Sequence, residues 1–139
     1  MSPGERFELD GADAAMDFMQ AHGVPQARAE VVWDAIALHT SAAIAERKAP
    51  EIAMVALGAS MDAAGRNLDQ LAAADVESVL DAFPRLGFKQ AAIQTMTSLC
   101  EKKPLAQVLH PFAEVGRRHI PNFVSPTVED LMLAAPFSE

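Results

Sequence analysis

Apolar residues recur at helical spacing along almost the whole chain, and proline or glycine residues separate one run from the next. The clearest run, PEIAMVALGASMDAAG at residues 50–65, is apolar on nearly every side between Ile52 and Met61. A helix that is apolar all round is typical of a central, fully buried helix. No stretch alternates β-branched and polar residues over more than three or four positions, and NFVSPTV is the best, weak strand candidate. We therefore predict an all-α fold.

The breakers place the predicted helices. They lie within residues 12–23, 24–40, 50–65, 67–84, 88–104, 105–121 and 125–137, and the fourth of these segments is predicted to be one turn followed by a short helix that ends near Phe83-Pro84. Pro111 is expected to break or kink the sixth segment, and Ser125 to cap the last. The start of the chain, SPGERFELDG, is expected to be a loop. Because 139 residues suit one domain, we predict a single helical bundle over residues 1–139.

Composition and charge narrow the function classes. A formal net charge of −8 with scattered basic residues argues against nucleic-acid binding, which depends on phosphate neutralisation, and against anionic membrane surfaces. No apolar run approaches the roughly 20 residues of a membrane span, and the N-terminus does not resemble a secretory signal. The lone Cys100, expected to be a small core or helix-face residue, is compatible with a reducing compartment. We expect a cytoplasmic protein.

Two polar residues interrupt the apolar helices. His39 closes one run, either as a core histidine with one hydrogen bond or as a metal ligand or general acid–base. Asp62 lies deep in the next run, where a buried carboxylate is costly unless it is paired or bound to metal. It is therefore a ligand or catalytic carboxylate, or else a helix-end residue that faces solvent near Gly65.

Several segments resemble the C-terminal part of HD-domain proteins, in the branch grouped with cyanamide hydratase. They are HGVPQARAEVVWDAIALHTS, APEIAMVALGASMDAAG, DAFPRLGFKQ and VEDLMLAAPF, in the family's order, and the resemblance runs from about Glu5 onward. It implies an all-helical fold. It also implies one or two divalent metals, bound through an early His, a tandem His-Asp and a late Asp. Activities of the superfamily include phosphate-ester hydrolysis and, in this branch, addition of water to a nitrile.

The resemblance assigns roles to two residues. Asp62, in GASMD, matches the late metal-binding Asp, and His39, in ALHT, matches a pocket histidine near the substrate or a second metal. Mixed nitrogen and oxygen ligation suits Zn, Fe, Mn, Co or Ni. In such enzymes the ion lowers the pKa of a bound water and so produces a nucleophile. His39 is accordingly the candidate catalytic residue, and Asp62 the candidate metal ligand.

The sequence departs from the family pattern at one decisive point. None of its four histidines is followed directly by an aspartate, so the tandem His-Asp is missing. The chain resembles an HD domain without its first helices, and three or four ligands are the norm for a divalent ion. Three hypotheses stay open. The chain is a metal-dependent hydrolase or hydratase completed from elsewhere, a silent HD-like module that binds a small molecule or a protein, or a helical oligomerisation protein.

Further expectations concern the surroundings of these residues. Trp33 and Lys48 are candidate substrate-binding residues, with core packing and a solvated turn as the respective alternatives. Gly58, inside the apolar run, is expected to permit a close approach by a helix or ligand. If the family's first helices are absent, one face of that run stays uncovered. Because large exposed apolar patches usually mark interfaces, we predict a homodimer or higher oligomer.

Overall fold

The fold is all-α, as predicted from the sequence. The computed structural model describes residues 4–136, and these contain no strand. The helices are α1 (Phe7–Ala21), α2 (Gln26–Leu38), α3 (Ala42–Ala45), α4 (Pro50–Ala64), α5 (Ala73–Ala82), α6 (Phe88–Lys102), α7 (Phe112–His119) and α8 (Val128–Leu133). Short 3-10 turns lie at Leu68–Gln70 and Leu105–Gln107. The proline and glycine breakers therefore placed most joints, including the break at Pro111.

The described residues group into two compact units. One unit spans residues 8–86, and the other combines residues 4–7 with residues 87–136. A single domain over residues 1–139 stays a prediction.

The core of the 8–86 unit lies where α2, α3 and α4 pack together. Its buried residues are three alanines and one isoleucine: Ala35, Ala45, Ala56 and Ile52. The partly buried Val31 and Leu38 pack against them. Alanine buries little apolar area, so this core supplies little hydrophobic stabilisation for its number of residues.

The 87–136 unit centres on the contact between α6 and α7. Cys100 of α6 is fully buried, as expected of a helix-face cysteine, and its Sγ donates to the Phe112 carbonyl at 3.2 Å. Burial raises the pKa of the Cys100 thiol. The Phe7 ring stacks on Phe112 with the ring centroids 5.0 Å apart, and the buried Lys103 donates from Nζ to the Glu5 carbonyl at 3.1 Å.

Helix α4 is not the fully buried helix that its composition predicts. Of its described residues, Ile52 and Ala56 are buried, whereas Met54 and Val55 are 66% and 45% exposed. The physical reason is that, among the described residues, the helices in extensive contact with α4 are α2 and α3, which leave the side chains of Met54 and Val55 exposed. A Cβ built on Gly58 would meet no atom within 4 Å. Within the described residues, the expected close approach at Gly58 is therefore absent.

Two expectations about the chain ends also differ from the structure. The N-terminal segment was expected to be a loop through Gly11, but α1 begins at Phe7. Its first turn carries Glu8 and Asp10, which favour a helix N-terminus. Ser2 and Pro3 of that segment lie outside the described residues.

The last helix starts later than predicted, because Thr127, not Ser125, is its N-cap. The Thr127 hydroxyl accepts from the Asp130 N–H, and the Asp130 carboxylate accepts from the Thr127 N–H at 2.8 Å. The Thr127 hydroxyl also donates to the Asp130 carboxylate at 2.7 Å. The two hydrogen bonds that the carboxylate accepts, first from the Thr127 backbone and then from its hydroxyl, lower the pKa of Asp130. The NFVSPTV strand candidate forms no strand. The helix also ends earlier than predicted, at Leu133, while Phe137 of the predicted segment lies outside the described residues.

Candidate functional site

His39 stands at the C-terminal cap of α2, half-buried. Its Nδ1 lies 2.6 Å from the Ile36 carbonyl oxygen. Since a carbonyl oxygen can only accept, Nδ1 carries the hydrogen, and in the neutral ring Nε2 holds the lone pair. This hydrogen bond holds the imidazole in one tautomer. A fixed tautomer is needed in a general base or a metal ligand, and it is also compatible with a histidine that only packs in the core.

Asp62 is exposed, and the expectation that its carboxylate is buried is wrong. It lies in the last turn of α4, before Gly65, whose left-handed backbone (φ 72°) ends the helix. The Asp62 side chain is 61% exposed. Apolar neighbours along the sequence did not imply burial, because this turn extends beyond the region of α4 that is covered. The alternative that the sequence left open, a helix-end aspartate facing solvent, is the observed one.

Arg85 neutralises Asp62. Its Nη1 lies 2.5 Å from Asp62 Oδ1, and its Nη2 donates to the Asp62 backbone carbonyl at 2.9 Å. Arg85 could not be predicted as the partner of Asp62, because the two residues are 23 positions apart and no local pattern links them. A guanidinium in this place supplies the positive charge that a metal ion would otherwise supply to the carboxylate.

The two candidate substrate-binding residues each have an acidic partner within the chain. Trp33 is half-buried, and its Nε1 donates to Asp13 Oδ1 at 2.8 Å. Lys48 forms an ion pair with Asp34 at 2.8 Å, and both side chains are partly exposed. A bound substrate would therefore have to compete with Asp34 for the Lys48 ammonium group.

The placement of the four predicted site residues follows the packing of two helices. Trp33 lies in α2, His39 caps its C-terminus, and Lys48 is tied to α2 through Asp34. Asp62 belongs to α4, which packs against α2. Three of the four predicted residues therefore lie in α2, at its end or in an ion pair with it, while Asp62 lies in the last turn of α4.

The residues described do not form a complete metal site. Among residues 4–136, no group of three or more His, Cys, Asp or Glu side chains is arranged to hold a metal ion. A divalent ion in a protein usually has three or four ligands. Asp62, already paired with Arg85, is the one predicted ligand. The side chains of one chain over this range therefore do not fit a resident divalent metal.

The other histidines have separate surroundings. Nδ1 of the buried His110 accepts from the Phe112 N–H at 3.2 Å, and its ring lies edge-on to Phe112. His22 directly follows α1 and donates from Nδ1 to the Phe18 carbonyl at 2.7 Å. His119 lies in the last turn of α7, beside Arg118. These contacts support packing and helix-end roles.

An open groove in the 8–86 unit was not predicted. It has a volume of about 510 Å³ and is lined by residues of the 3-10 turn Leu68–Gln70 and of α5, from Leu68 to Leu80. The sequence did hold a signal: Val76, Leu80 and Phe83 recur at helical spacing beside four acidic residues.

The comparisons with protein-family models, with curated proteins and with solved structures each returned no match. Over residues 4–136, no helix combines the length and apolar character that crossing a membrane requires.

Proposed function

We propose that this chain contributes to a metal-dependent hydrolase or hydratase of the HD-domain type, acting on a small molecule such as a phosphate ester or a nitrile. In this proposal Asp62 is a metal ligand, His39 is the catalytic histidine, and Trp33 and Lys48 bind the substrate. The remaining ligands come from outside the described residues of one chain, for example from another copy.

The observation that carries the proposal is the exposed position of the Asp62 carboxylate at the end of α4. This carboxylate is accessible, sits on a glycine-capped helix end and is held by a cation, Arg85. An exposed ion pair contributes little to stability, in the range of about 0–1 kcal/mol, so a divalent ion with further ligands can displace the guanidinium. The tautomer of His39 supports the same proposal, because it leaves Nε2 as the basic nitrogen.

Metal content tests the role of Asp62. The full chain, incubated with Mn²⁺ or Zn²⁺ and dialysed, is analysed by plasma mass spectrometry beside the Asp62→Ala and Arg85→Ala variants. We expect near-stoichiometric metal in the parent and none in Asp62→Ala. Arg85→Ala should bind metal more tightly, because the guanidinium no longer competes. Glu46→Ala is the matched control, since it breaks the Arg66–Glu46 ion pair elsewhere on the same unit.

Activity tests the role of His39. A phosphodiester and cyanamide are offered to the metal-loaded parent and to His39→Ala. Loss of turnover of about 100-fold or more with unchanged metal content would agree with general acid–base catalysis. If neither the parent nor Arg85→Ala takes up metal, the metal-dependent reaction is excluded for this chain.

The second candidate is a non-catalytic HD-like module that binds a small molecule or protein and self-associates. The exposed Met54 and Val55 on α4 favour it, because apolar side chains on one helix face are typical of an interface. A chain without metal that is nevertheless a stable dimer would support this candidate. Cytoplasmic localisation is proposed in both cases.

A further inference from the structure

Helix α5 is an amphipathic helix with exposed large apolar side chains. None of its residues is buried, and α5 makes no extensive contact with another described helix. Val79 and Leu80 of α5, and Phe83 directly after it, are exposed. Isolated helices shorter than about 12–15 residues are marginal in water, and most of their stability in proteins comes from packing of the apolar face. A ten-residue helix with its apolar face exposed is therefore expected to bind a further element.

The groove beside α5 has the composition of a helix-binding site. Its apolar lining residues come from the preceding turn and from one face of α5: Leu68, Leu71, Ala73, Val76 and Leu80. Its two charged lining residues are Asp69 and Glu77. The volume, about 510 Å³, lies within the range of ligand-binding clefts. The groove thus combines an apolar floor with negative charge.

Charge decides between the possible occupants. Residues 67–84 contain four acidic residues and no Lys, Arg or His: Asp69, Asp75, Glu77 and Asp81. The flanking Arg66 and Arg85 form ion pairs with Glu46 and Asp62. In a two-fold dimer each partner presents the same patch, so a second copy docking by this face would oppose like charges. An apolar element of positive charge avoids this repulsion.

We propose that the groove docks the apolar face of a basic amphipathic helix from a partner protein. Apolar side chains of that helix at positions i, i+3 or i+4, and i+7 lie on the groove floor, as in other helix-in-groove complexes. Its Lys or Arg side chains pair with Asp69 and Glu77. This surface is separate from the residues of the proposed function and does not depend on a metal.

The test uses a fluorescent probe peptide of about 14 residues, roughly four helical turns, with Leu on one face and Lys on the other. A matched peptide carries Glu in place of Lys. Binding to the full chain is measured by fluorescence anisotropy. We expect the Lys peptide to bind at least about tenfold more tightly than the Glu peptide, because interfacial charge discriminates between partners.

Two pairs of variants locate the binding. Glu77→Lys reverses a lining charge, and Asp75→Lys makes the same change on α5 outside the groove. Leu80→Ser and Val79→Ser form the apolar pair, since Leu80 lines the groove and Val79 does not. We expect Glu77→Lys and Leu80→Ser to weaken binding about tenfold, and their controls to change it less than about twofold. Circular dichroism confirms that each variant is folded.

Several results would overturn the proposal. The Lys peptide could fail to bind, or both peptides could bind equally. Glu77→Lys and Asp75→Lys could weaken binding equally, which would indicate non-specific charge attraction. Leu80→Ser could convert an oligomer into monomers in light scattering while Val79→Ser does not. That last result would show that a second copy occupies the groove.

Discussion

At the residue scale, two helical glycines have opposite surroundings. A Cβ on Gly116 of α7 would lie 2.6 Å from the Phe123 ring, whereas one on Gly58 of α4 would meet nothing within 4 Å. We expect Gly116→Ala to destabilise the protein by about 1–3 kcal/mol through overpacking. Gly58→Ala should stabilise it by up to about 1 kcal/mol through helix propensity. Urea unfolding of both variants measures the difference, and equal effects would contradict the packing described here.

Cys100 gives a second residue-scale prediction. Burial raises the pKa of its thiol, so that the neutral form is favoured in the folded protein. This contribution to stability is present below the ordinary thiol pKa and is lost as the pH rises through the raised value. We expect Cys100 to react far more slowly with a thiol reagent at pH 8 in the native protein than in urea. Equal rates would mean that the α6–α7 contact is open.

At the element scale, the cap of α8 predicts a pH dependence. The pKa of Asp130 is lowered because Thr127 donates to the carboxylate from its backbone and then from its hydroxyl. A lowered pKa in the folded state means that the cap stabilises α8 above the ordinary carboxyl pKa, about 3.9, and fails as the pH falls through the lowered value.

Hydrogen exchange measures that dependence. Amide protection in α8 should fall as the solution is acidified below about pH 4. Thr127→Ala should lower the protection at neutral pH, because caps of this kind contribute about 1 kcal/mol. Ser125→Ala is the control, since Ser125 donates to the Gln107 carbonyl and does not cap the helix. Similar losses in both variants would contradict the capping box.

At the scale of the whole molecule, burial is supplied mainly by small side chains. The buried apolar residues of the described chain are eight alanines with Ile52 and Cys100: Ala12, Ala29, Ala35, Ala37, Ala45, Ala56, Ala106 and Ala113. Meanwhile Met54, Leu86 and Leu133 are exposed. Hydrophobic stabilisation scales with the apolar area removed from water. Association would therefore stabilise the protein by burying apolar side chains that are exposed in the single chain.

We therefore expect self-association through the exposed face of α4. Light scattering should show a dimer or higher oligomer at micromolar concentration, and unfolding temperature should rise with protein concentration. Met54→Lys should shift the equilibrium toward the monomer. Met132→Lys makes the same change on the exposed surface of α8 and serves as the control. A monomeric parent at micromolar concentration would exclude this interface.

The local structure of this protein follows from its amino-acid sequence. Helical spacing set the all-α class, and Pro50 and Gly65 bounded α4 almost to the residue, because breakers act through backbone geometry within one turn. The position of His39 at a helix end follows from the same local rules.

Which helix faces are buried depends on long-range packing. The apolar run of α4 could not reveal that one side lacks a neighbour, nor that Asp62 meets Arg85 across 23 residues. Likewise, the helical spacing of α5 predicted an apolar face but not the groove that it lines. Burial and ion pairing depend on residues that are distant in the chain, and a periodic pattern specifies a face without specifying what packs against it.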